Sequence, residues 1–266
     1  MADELDFKTT EDITKEDVHR LQKRLLEMAN AMTSILDKYG YHYMIACGTL
    51  LGAVRHKGYF PWDNDFDMFL FDDEYDAAVQ CLRDHLPEDM IVHDKKTDPI
   101  YWPAWSRLRD LHSRTYGAKY TDDDYYKYTG LTLDLYRLTK MKRSEVALWK
   151  KKSAIEFLVR KHDVGVLPDD QYREQFDEWT TDYVELLRQN VTQGGADDEV
   201  YSALIPTLSN PIEVDDIFPL KKYQFADTEF WGPNNADHIL TIMYGDYMQV
   251  PPYERRRLHL ARVEFD

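Results

Sequence analysis

Three aspartates set in apolar sequence are the residues of this chain best suited to chemistry. Asp65 and Asp67 stand two apart at the start of the apolar run Phe66–Phe71, and alternate residues of a strand share one face. Asp134 lies in a second apolar run, among leucines at positions 131, 133 and 135. The pattern predicts that the three carboxylates converge at one edge of a sheet, while the residues between them face the core.

Converging carboxylates repel one another, and desolvating even one is costly unless a positive group is supplied. A divalent cation is the obvious supply. Mg²⁺, with Mn²⁺ as an alternative, prefers hard oxygen ligands and is commonly completed by substrate phosphates. The three aspartates therefore indicate metal-assisted phosphoryl chemistry. A calcium-binding loop that starts at Asp63 is a poor alternative, because Met68 stands where such a loop needs glycine.

A glycine-containing turn precedes the acidic pair. Gly48 and Thr49 follow a predicted strand and open a predicted helix. The N-terminus of a helix offers free N–H groups and a positive dipole end to a phosphate, and glycine lets the phosphate approach. Arg55 and Lys57 add positive charge for the same ligand. Each feature alone is weak, since most Gly-Thr pairs are ordinary turns and cations at helix ends are usually solvated.

The elements that must position these residues alternate between helix and strand. Thr14 with Asp17 is typical of a helix N-cap, and apolar residues at helical spacing follow as far as Gly40. The pattern then predicts strands over 41–46, 66–71, 90–93, 105–110, 115–120 and 130–138, and helices over 50–56, 72–86, 144–162, 169–191 and 235–244. We therefore expect the α/β (α+β) class, with a mixed sheet flanked by helices and a helical insertion.

The same elements divide the chain into three parts. We expect a catalytic core over 1–140, a helical insertion over 141–200 and a C-terminal segment over 201–266 that packs back on the core. Prolines interrupt this last segment at 206, 211, 219, 233, 251 and 252. Regular elements there should therefore be short.

Charge and composition exclude several classes of protein. The 49 acidic and 33 basic side chains give a net charge of −16, the wrong sign for neutralising a nucleic-acid backbone. With only Cys47 and Cys81 there is no disulfide framework, so reduced thiols in the cytoplasm are expected. No stretch approaches the ~20 apolar residues of a membrane span. We expect a soluble protein that does not bind nucleic acid.

Three segments carry motifs that can be compared with known families: 48–58 (Gly-Thr-Leu-Leu-Gly-Ala-Val-Arg-His-Lys-Gly), 61–67 (Pro-Trp-Asp-Asn-Asp-Phe-Asp) and 244–252 (Tyr-Gly-Asp-Tyr-Met-Gln-Val-Pro-Pro). Together they resemble the LicD family of phosphocholine transferases, relatives of fukutin, and the nucleotidyltransferase fold. The chain departs from the family at Asn64, where the family usually has Asp. It departs again after Asp134, where Leu-Tyr-Arg stands in place of Ile-Phe-Pro.

The resemblance implies transfer of phosphocholine from CDP-choline, or of a similar group from a related CDP-alcohol, with release of CMP. The acceptor would be a sugar hydroxyl of a glycan or lipid-linked glycan, a cell-surface precursor such as teichoic acid or lipopolysaccharide. In that mechanism Asp65, Asp67 and Asp134 bind Mg²⁺, the Gly48–Thr49 turn holds a phosphate, and either Asp63 or Asp134 takes the proton of the acceptor.

Aromatic residues are candidates for holding a quaternary ammonium such as choline, which prefers aromatic faces. Two clusters lie close in sequence to the predicted strands, and we expect one of them to line the donor pocket. The candidates are Tyr101, Trp102, Trp105, Tyr126 and Tyr128. Taken singly, each is more typical of packing.

The C-terminal segment supplies two further candidates. His259 is a candidate acceptor contact, although a surface histidine is the plainer interpretation. The arginine run 255–257 suits an anionic lipid or an acidic acceptor, which leaves open peripheral contact at the inner membrane face.

Two other functions remain compatible with the sequence. One is nucleotidyl transfer from a nucleoside triphosphate to a small molecule or protein, which releases pyrophosphate where the first reaction releases CMP. The other is a non-catalytic scaffold of the same fold, in which substitution of Asp65 or Asp67 has no effect on activity.

Overall fold

A computed structural model describes residues 6–10, 12–117, 125–193, 198–205, 208 and 210–266. The helices are α1 (Lys15–Tyr39), α2 (Cys47–Arg55), α3 (Asp72–His85), α4 (Val146–Asp163), α5 (Asp169–Gln193), α6 (Val214–Ile217) and α7 (Ala236–Tyr244). The strands are β1 (Tyr43–Ile45), β2 (Phe66–Phe71), β3 (Met90–His93), β4 (Ser106–Asp110), β5 (Ser113–Gly117), β6 (Thr132–Lys142), β7 (Glu199–Ser202), β8 (Ile212–Glu213), β9 (Lys221–Phe225), β10 (Thr228–Gly232) and β11 (Leu260–Phe265).

The central sheet is mixed and has the strand order β1-β2-β6-β4-β3. Strands β2 and β6 run parallel, whereas the β1–β2, β6–β4 and β4–β3 pairs are antiparallel. The register sets Asp67 beside Asp134 across the parallel pair, and Arg107 beside Asp134 on the other side. The predicted α+β class with a mixed sheet is therefore confirmed, and the sheet brings two of the three predicted aspartates together.

The N-terminal elements follow from local sequence. Thr14 and Asp17 form the predicted capping box at the start of α1, and Gly40 ends the helix in the left-handed region with φ 78°. The buried side of α1 repeats at helical spacing and includes Leu21, Leu25 and Met32. Local propensity and patterning agree over this part of the chain, so its prediction succeeds.

Two observed elements differ in extent from the predicted ones. The predicted turn at Cys47–Thr49 is instead the first turn of α2. Strand β6 continues to Lys142, beyond the predicted end at 138, because its last residues pair with β7. Of the predicted strand over 115–120, residues 118–120 lie outside the described residues.

The C-terminal segment contains strands that its prolines had not suggested. The β9–β10 hairpin contacts β1 and α2, and β11 pairs with β5. Helices α4 and α5 pack against each other as a hairpin. Strand β7 spans the predicted boundary at residue 200 and pairs with the end of β6.

The main hydrophobic core lies beside β2, whose residues are all buried. Tyr101, Trp102 and Tyr126 form a separate small cluster. Among the helices that the structure describes, none is both long and apolar enough to cross a membrane.

Candidate active site

The N-terminus of α2 meets the start of β2 through hydrogen bonds from backbone N–H groups to side-chain oxygens. The N–H of Gly48 donates to Asp67 Oδ2 at 3.2 Å, and the N–H of Asp67 donates to Thr49 Oγ1 at 2.8 Å. A Cβ on Gly48 would lie 3.6 Å from both Asp63 Oδ1 and Asp67 Oδ2, so a side chain there would fill the space between the two carboxylates. The positive end of this helix therefore faces Asp67 itself.

The structure assigns different positions to the two residues of this turn. Thr49 is fully buried, and its hydroxyl fixes the backbone of β2 to α2. Gly48 lies directly against the carboxylates. The backbone at Gly48 is therefore better placed to bind a phosphate than the Thr49 side chain, which is buried and already bonded to β2.

Four carboxylates form what we call the acid centre: Asp63, Asp65, Asp67 and Asp134. Asp67 and Asp134 are neighbours in the β2–β6 register, and both are buried. Asp63 is buried too and interacts with Asp65, which keeps part of its surface in solvent. Asp63 Oδ2 is buried and has no hydrogen-bond partner among the described residues.

Burial and mutual repulsion raise the pKa values of three of these acids, Asp63, Asp65 and Asp67. Burial raises the pKa of Asp63 and that of Asp67 well above the usual range, and the charge of Asp65 adds to both shifts. The pKa of Asp65 is also raised, first by burial and then by the charge of Asp134. The acid centre is therefore short of positive charge.

Asp134 differs from the other three because it has strong donors. Arg107 Nε lies 2.7 Å and Trp105 Nε1 2.6 Å from its Oδ1. Asp134 is buried, so these contacts offset the cost of removing its charge from water. Arg107 also acts on Asp65, where its charge opposes the rise in pKa.

Tyrosines surround the acid centre. Tyr136 hydrogen-bonds to Asp67, and its own pKa is raised well above the usual range by burial and by the charges of Asp134 and Asp67. Tyr244 keeps 36% of its surface exposed, yet desolvation by the surrounding protein raises its pKa, and the charges of Asp67 and Asp63 contribute. The hydroxyl of Tyr59 is buried and has no partner among the described residues.

Sequence reasoning missed Arg107, Tyr136 and Tyr244, although each had a signal. Tyr136 stands two residues after Asp134 and so shares its face of β6. Arg107 follows the singled-out Trp105 by two residues. Tyr244 is the first residue of the third family-like segment.

Of the two predicted phosphate-binding cations, Arg55 lies near the acid centre. Its pKa is lowered by burial, and the charge of Asp63 opposes that change. Arg55 Nη1 donates to the carbonyl of Tyr247 at 2.6 Å, which ties α2 to the segment after α7. The Lys57 side chain is exposed, and within the described ranges no hydrogen bond or ion pair joins it to the acid centre. Its carbonyl accepts from the N–H of Ala226 at 2.6 Å.

The predicted aromatic contacts separate into two groups. Trp105 reaches the acid centre and packs against Tyr136, with ring centroids 4.9 Å apart. Tyr101, Trp102 and Tyr126 are instead buried against one another in the separate cluster.

That separate cluster also supports Trp105. The hydroxyl of Tyr101 donates to the Trp105 carbonyl at 2.8 Å. Tyr128 packs on His93, with ring centroids 5.4 Å apart. The cluster thus fixes the backbone that carries Trp105, while Trp105 alone of the five candidates contacts a carboxylate of the acid centre among the described residues.

The C-terminal segment does reach the acid centre. The N–H of His259 donates to Asn64 Oδ1 at 2.8 Å, and the charge of His259 opposes the rise in the pKa of Asp65. Asn64 is buried, as the alternation of the strand predicts, and its amide fixes the C-terminal segment. The contact needs only an oxygen acceptor at position 64, so the family's usual Asp could make it as well.

The donor set of the acid centre suits a hard divalent cation such as Mg²⁺. It offers carboxylate oxygens, one of them buried without a partner in the described part of the chain. Within that part, no three His, Cys, Asp or Glu side chains already form a group that could hold a metal ion by themselves. The residues therefore fit a site that supplies only some of the metal's ligands. Substrate phosphates and water would supply the others, unlike in a closed structural site.

Comparison with known proteins agrees with this geometry. Residues 40–159 match the family model described as "LicD/FKTN/FKRP, nucleotidyltransferase domain". The chain contains a LicD-family domain. The matched segment holds all four residues of the acid centre together with Gly48, Trp105 and Arg107. The resemblance that the sequence motifs predicted is confirmed.

Two relatives are similar to this chain. The lipopolysaccharide cholinephosphotransferase LicD of Haemophilus influenzae is 25% identical over 264 aligned residues, which span 88% of this chain and 92% of the relative. An uncharacterized protein of Rickettsia prowazekii is 27% identical over 157 residues, which span 52% of this chain and 53% of that protein. The first likeness covers more of the chain than the family match over residues 40–159 does.

Proposed function

We propose that the protein is a metal-dependent transferase that moves phosphocholine, or a similar phospho-alcohol, from a CDP-linked donor to a sugar hydroxyl of a cell-surface glycan or lipid-linked glycan precursor. The observation that carries the proposal is the acid centre, where Asp67 and Asp134 adjoin across parallel strands and buried carboxylates lack sufficient positive charge. The LicD-family match and the likeness to a named cholinephosphotransferase support this class of enzyme.

Asp65 and Asp67, with Asp134, are the proposed ligands of Mg²⁺ or Mn²⁺. When bound, the metal neutralises charge on the donor diphosphate. Arg107 and Trp105 orient Asp134 through its Oδ1. The Gly48 N–H and the Tyr136 hydroxyl orient Asp67.

The proposed reaction is an in-line displacement at the distal phosphorus of the donor. A bond forms between the acceptor oxygen and that phosphorus, the bond to CMP breaks, and CMP leaves with the electron pair. We assign the acceptor proton to Asp63 rather than Asp134. Asp134 Oδ1 already accepts two hydrogen bonds, whereas Asp63 Oδ2 has no partner in the described part of the chain. An acid with a raised pKa is also the stronger base once ionised.

Trp105 is the aromatic residue best placed to contact the transferred alcohol. Its ring packs with Tyr136 beside the acid centre, and the nearby carboxylates favour a cation. A quaternary ammonium binds well to such a combination of aromatic face and negative charge. Phosphocholine is therefore the first alcohol to test.

The test is a screen of CDP-alcohols for CMP release in the presence of glycan acceptors, with Mg²⁺, Mn²⁺ or EDTA. We expect metal-dependent CMP release with CDP-choline or a close analogue. Asp65→Asn and Asp67→Asn should each lower the rate by roughly 10³-fold or more, because each removes a metal ligand. Asp198→Asn, at an exposed residue outside the acid centre, is the matched control.

Two outcomes would reject the proposal. Pyrophosphate release from a nucleoside triphosphate, with no CMP release from any CDP-alcohol, would assign nucleotidyl transfer instead. Full activity in cells of the Asp65→Asn and Asp67→Asn variants would assign a scaffold role.

A further inference from the structure

A short basic segment lies at the rim of the acid centre. We call Arg255–His259 the arginine segment; its Arg255, Arg257 and His259 side chains are exposed. The whole chain carries a net charge of −16, so clustered positive charge is unusual on this surface. Its position beside the proposed active site calls for a functional explanation.

Both ends of the segment are fixed against the loop that carries Asp63. The guanidinium of Arg256 lies 5.6 Å from the ring centroid of Trp62, and its Nε donates to the Pro251 carbonyl at 2.7 Å. At the other end, the N–H of His259 donates to Asn64 Oδ1 at 2.8 Å. Because Trp62 and Asn64 flank Asp63 in the chain, the segment is positioned directly beside the acid centre.

The outward-facing arginines are not used to hold the fold together. Within the described ranges, no hydrogen bond or ion pair is made by the side chain of Arg255 or Arg257, whereas Arg256 between them is anchored. A fixed backbone that presents guanidinium groups to solvent reduces the ordering cost of binding an anion. Guanidinium also matches phosphate and carboxylate geometry in a bidentate manner.

We propose that Arg255, Arg257 and His259 bind an anionic group of the acceptor glycan, a phosphate or a carboxylate, and so bring its hydroxyl to the acid centre. This inference rests on the proposed function. An acidic acceptor would otherwise be repelled by the net charge of the chain and by the acid centre itself. The basic segment offsets that repulsion where the acceptor must enter.

The surroundings favour a glycan over a membrane surface. The exposed acidic residues Asp6 and Glu254 border the segment, with the carbonyl of Asp6 3.2 Å from Arg256 Nη1. Lys8 pairs with Arg257 through its backbone and adds one cation, but the two acids interrupt the basic surface, which suits one anionic group of a ligand. Binding to an anionic membrane generally uses basic residues spread over a wider area.

The experiment measures binding by calorimetry to one probe in two forms: the phosphorylated oligosaccharide released from lipopolysaccharide, and the same oligosaccharide after phosphatase treatment. Arg255→Gln/Arg257→Gln should weaken binding of the phosphorylated form by about 10- to 100-fold and leave the dephosphorylated form unchanged. Arg173→Gln/Arg188→Gln, at two exposed arginines on α5, is a control that removes the same charge. This control should bind like the parent protein.

Four results would overturn the inference, provided that the variant is folded. Equal affinity of the variant and the parent for the phosphorylated probe would do so, as would an equal loss in the α5 control. Loss of binding to phosphatidylglycerol vesicles alone, with phosphatidylcholine vesicles as reference, would assign the segment to a membrane. A raised KM for CDP-choline alone would assign it to the donor. Unchanged thermal unfolding of the variant shows that it is folded.

The inference and the proposed function fail separately. If CMP is never released but the phosphorylated probe still binds through Arg255 and Arg257, then the arginine segment binds an anion and the proposed transferase activity is wrong. If CMP is released and the variant binds and turns over the acceptor normally, then the proposed function is supported and the inference about the arginine segment is wrong.

Discussion

Two parts of the same sheet bury carboxylates in opposite ways. Asp110, at the end of β4, accepts hydrogen bonds from Arg24 Nε at 3.0 Å and Nη2 at 2.7 Å, and Ser113 also donates to it. Asp67, on β2, has neutral donors, Gly48 and Tyr136, and charged carboxylates as neighbours. Asp110 is thus a neutralised buried acid, whereas Asp67 is not.

The difference shows what each site is built to do. Pairing with a cation makes a buried carboxylate structurally tolerable, and the Arg24 pair joins α1 to β4. In the acid centre, Arg107 contacts Asp134, but the raised pKa values of Asp63 and Asp67 mark charge that the fold leaves unbalanced. A site that must receive a metal and a diphosphate is expected to keep such an imbalance.

The largest effect expected from this comparison is a loss of protein stability when Asp110 loses its partner Arg24. Arg24→Met should lower the free energy of unfolding by about 3 kcal/mol, because it leaves a buried carboxylate without its cation. Urea denaturation measures it, and activity per folded molecule should not change. Arg143→Met, which removes an arginine from the more exposed pairs with Asp198 and Glu213, should cost no more than about 1 kcal/mol. Equal losses in the two variants would mean that burial does not set the strength of these pairs.

A smaller effect, on kcat, is expected when Asp134 loses a donor. Asp134 is intermediate between the two cases because it pairs with Arg107 yet lies beside Asp67. Trp105→Phe keeps an aromatic ring but removes the N–H that donates to Asp134 Oδ1. We expect kcat for CMP release to fall about tenfold, equivalent to roughly 1.4 kcal/mol, as the carboxylate loses one of its two orienting donors. Trp179→Phe, on α5, should leave kcat unchanged. A rise in the KM for CDP-choline without a change in kcat would show that Trp105 contacts the donor alone.

Local pattern was sufficient to predict β2, β3, α1 and the proximity of Asp67 to Asp134. Alternation and capping depend on neighbours in the chain, and two apolar strands that each carry an acid suggested that the acids meet at one sheet edge. The partner of Asp134 could not be predicted in this way. Arg107 meets it through the β4–β6 register, which is set by the whole sheet.

The rest of the site could not be predicted from local sequence, because it depends on which side chains are buried and on contacts between residues far apart in the chain. Trp105 and Trp102 are similar in sequence context, yet one contacts the acid centre and the other lies in a separate buried cluster. Thr49 carries a plausible phosphate-binding hydroxyl that the fold uses to hold β2. The contact of His259 with Asn64 joins residues far apart in sequence, and only the packing of the C-terminal segment creates it.

The smallest predicted effect concerns the unbalanced charge of Asp67 itself. Asp67→Asn preserves an oxygen to accept from the Gly48 N–H but removes a charge that its neighbours repel. In EDTA, we expect the variant to be more stable than the parent by about 1 kcal/mol at pH 8, although it has lost activity. Urea denaturation from pH 4 to pH 8 measures the difference.

The direction of the pH dependence follows from the raised pKa of Asp67. In the parent, the folded state holds this proton more tightly than the unfolded state, whose pKa is near 3.8. The stability due to the proton is complete below about pH 3.8 and is lost as the pH rises through the folded-state pKa. The advantage of the variant should therefore be smallest near pH 4 and grow toward pH 8.

Asp110→Asn is the matched control, and it should lower stability instead, because it removes the charge that faces Arg24. Adding Mg²⁺ should stabilise the parent but not Asp67→Asn, since a metal that binds only the folded state adds its binding free energy. If Asp67→Asn is destabilised at every pH, as Asp110→Asn is, then the carboxylate at 67 is held as a charged group by the protein alone. In that case the two regions do not differ in the way their contacts indicate.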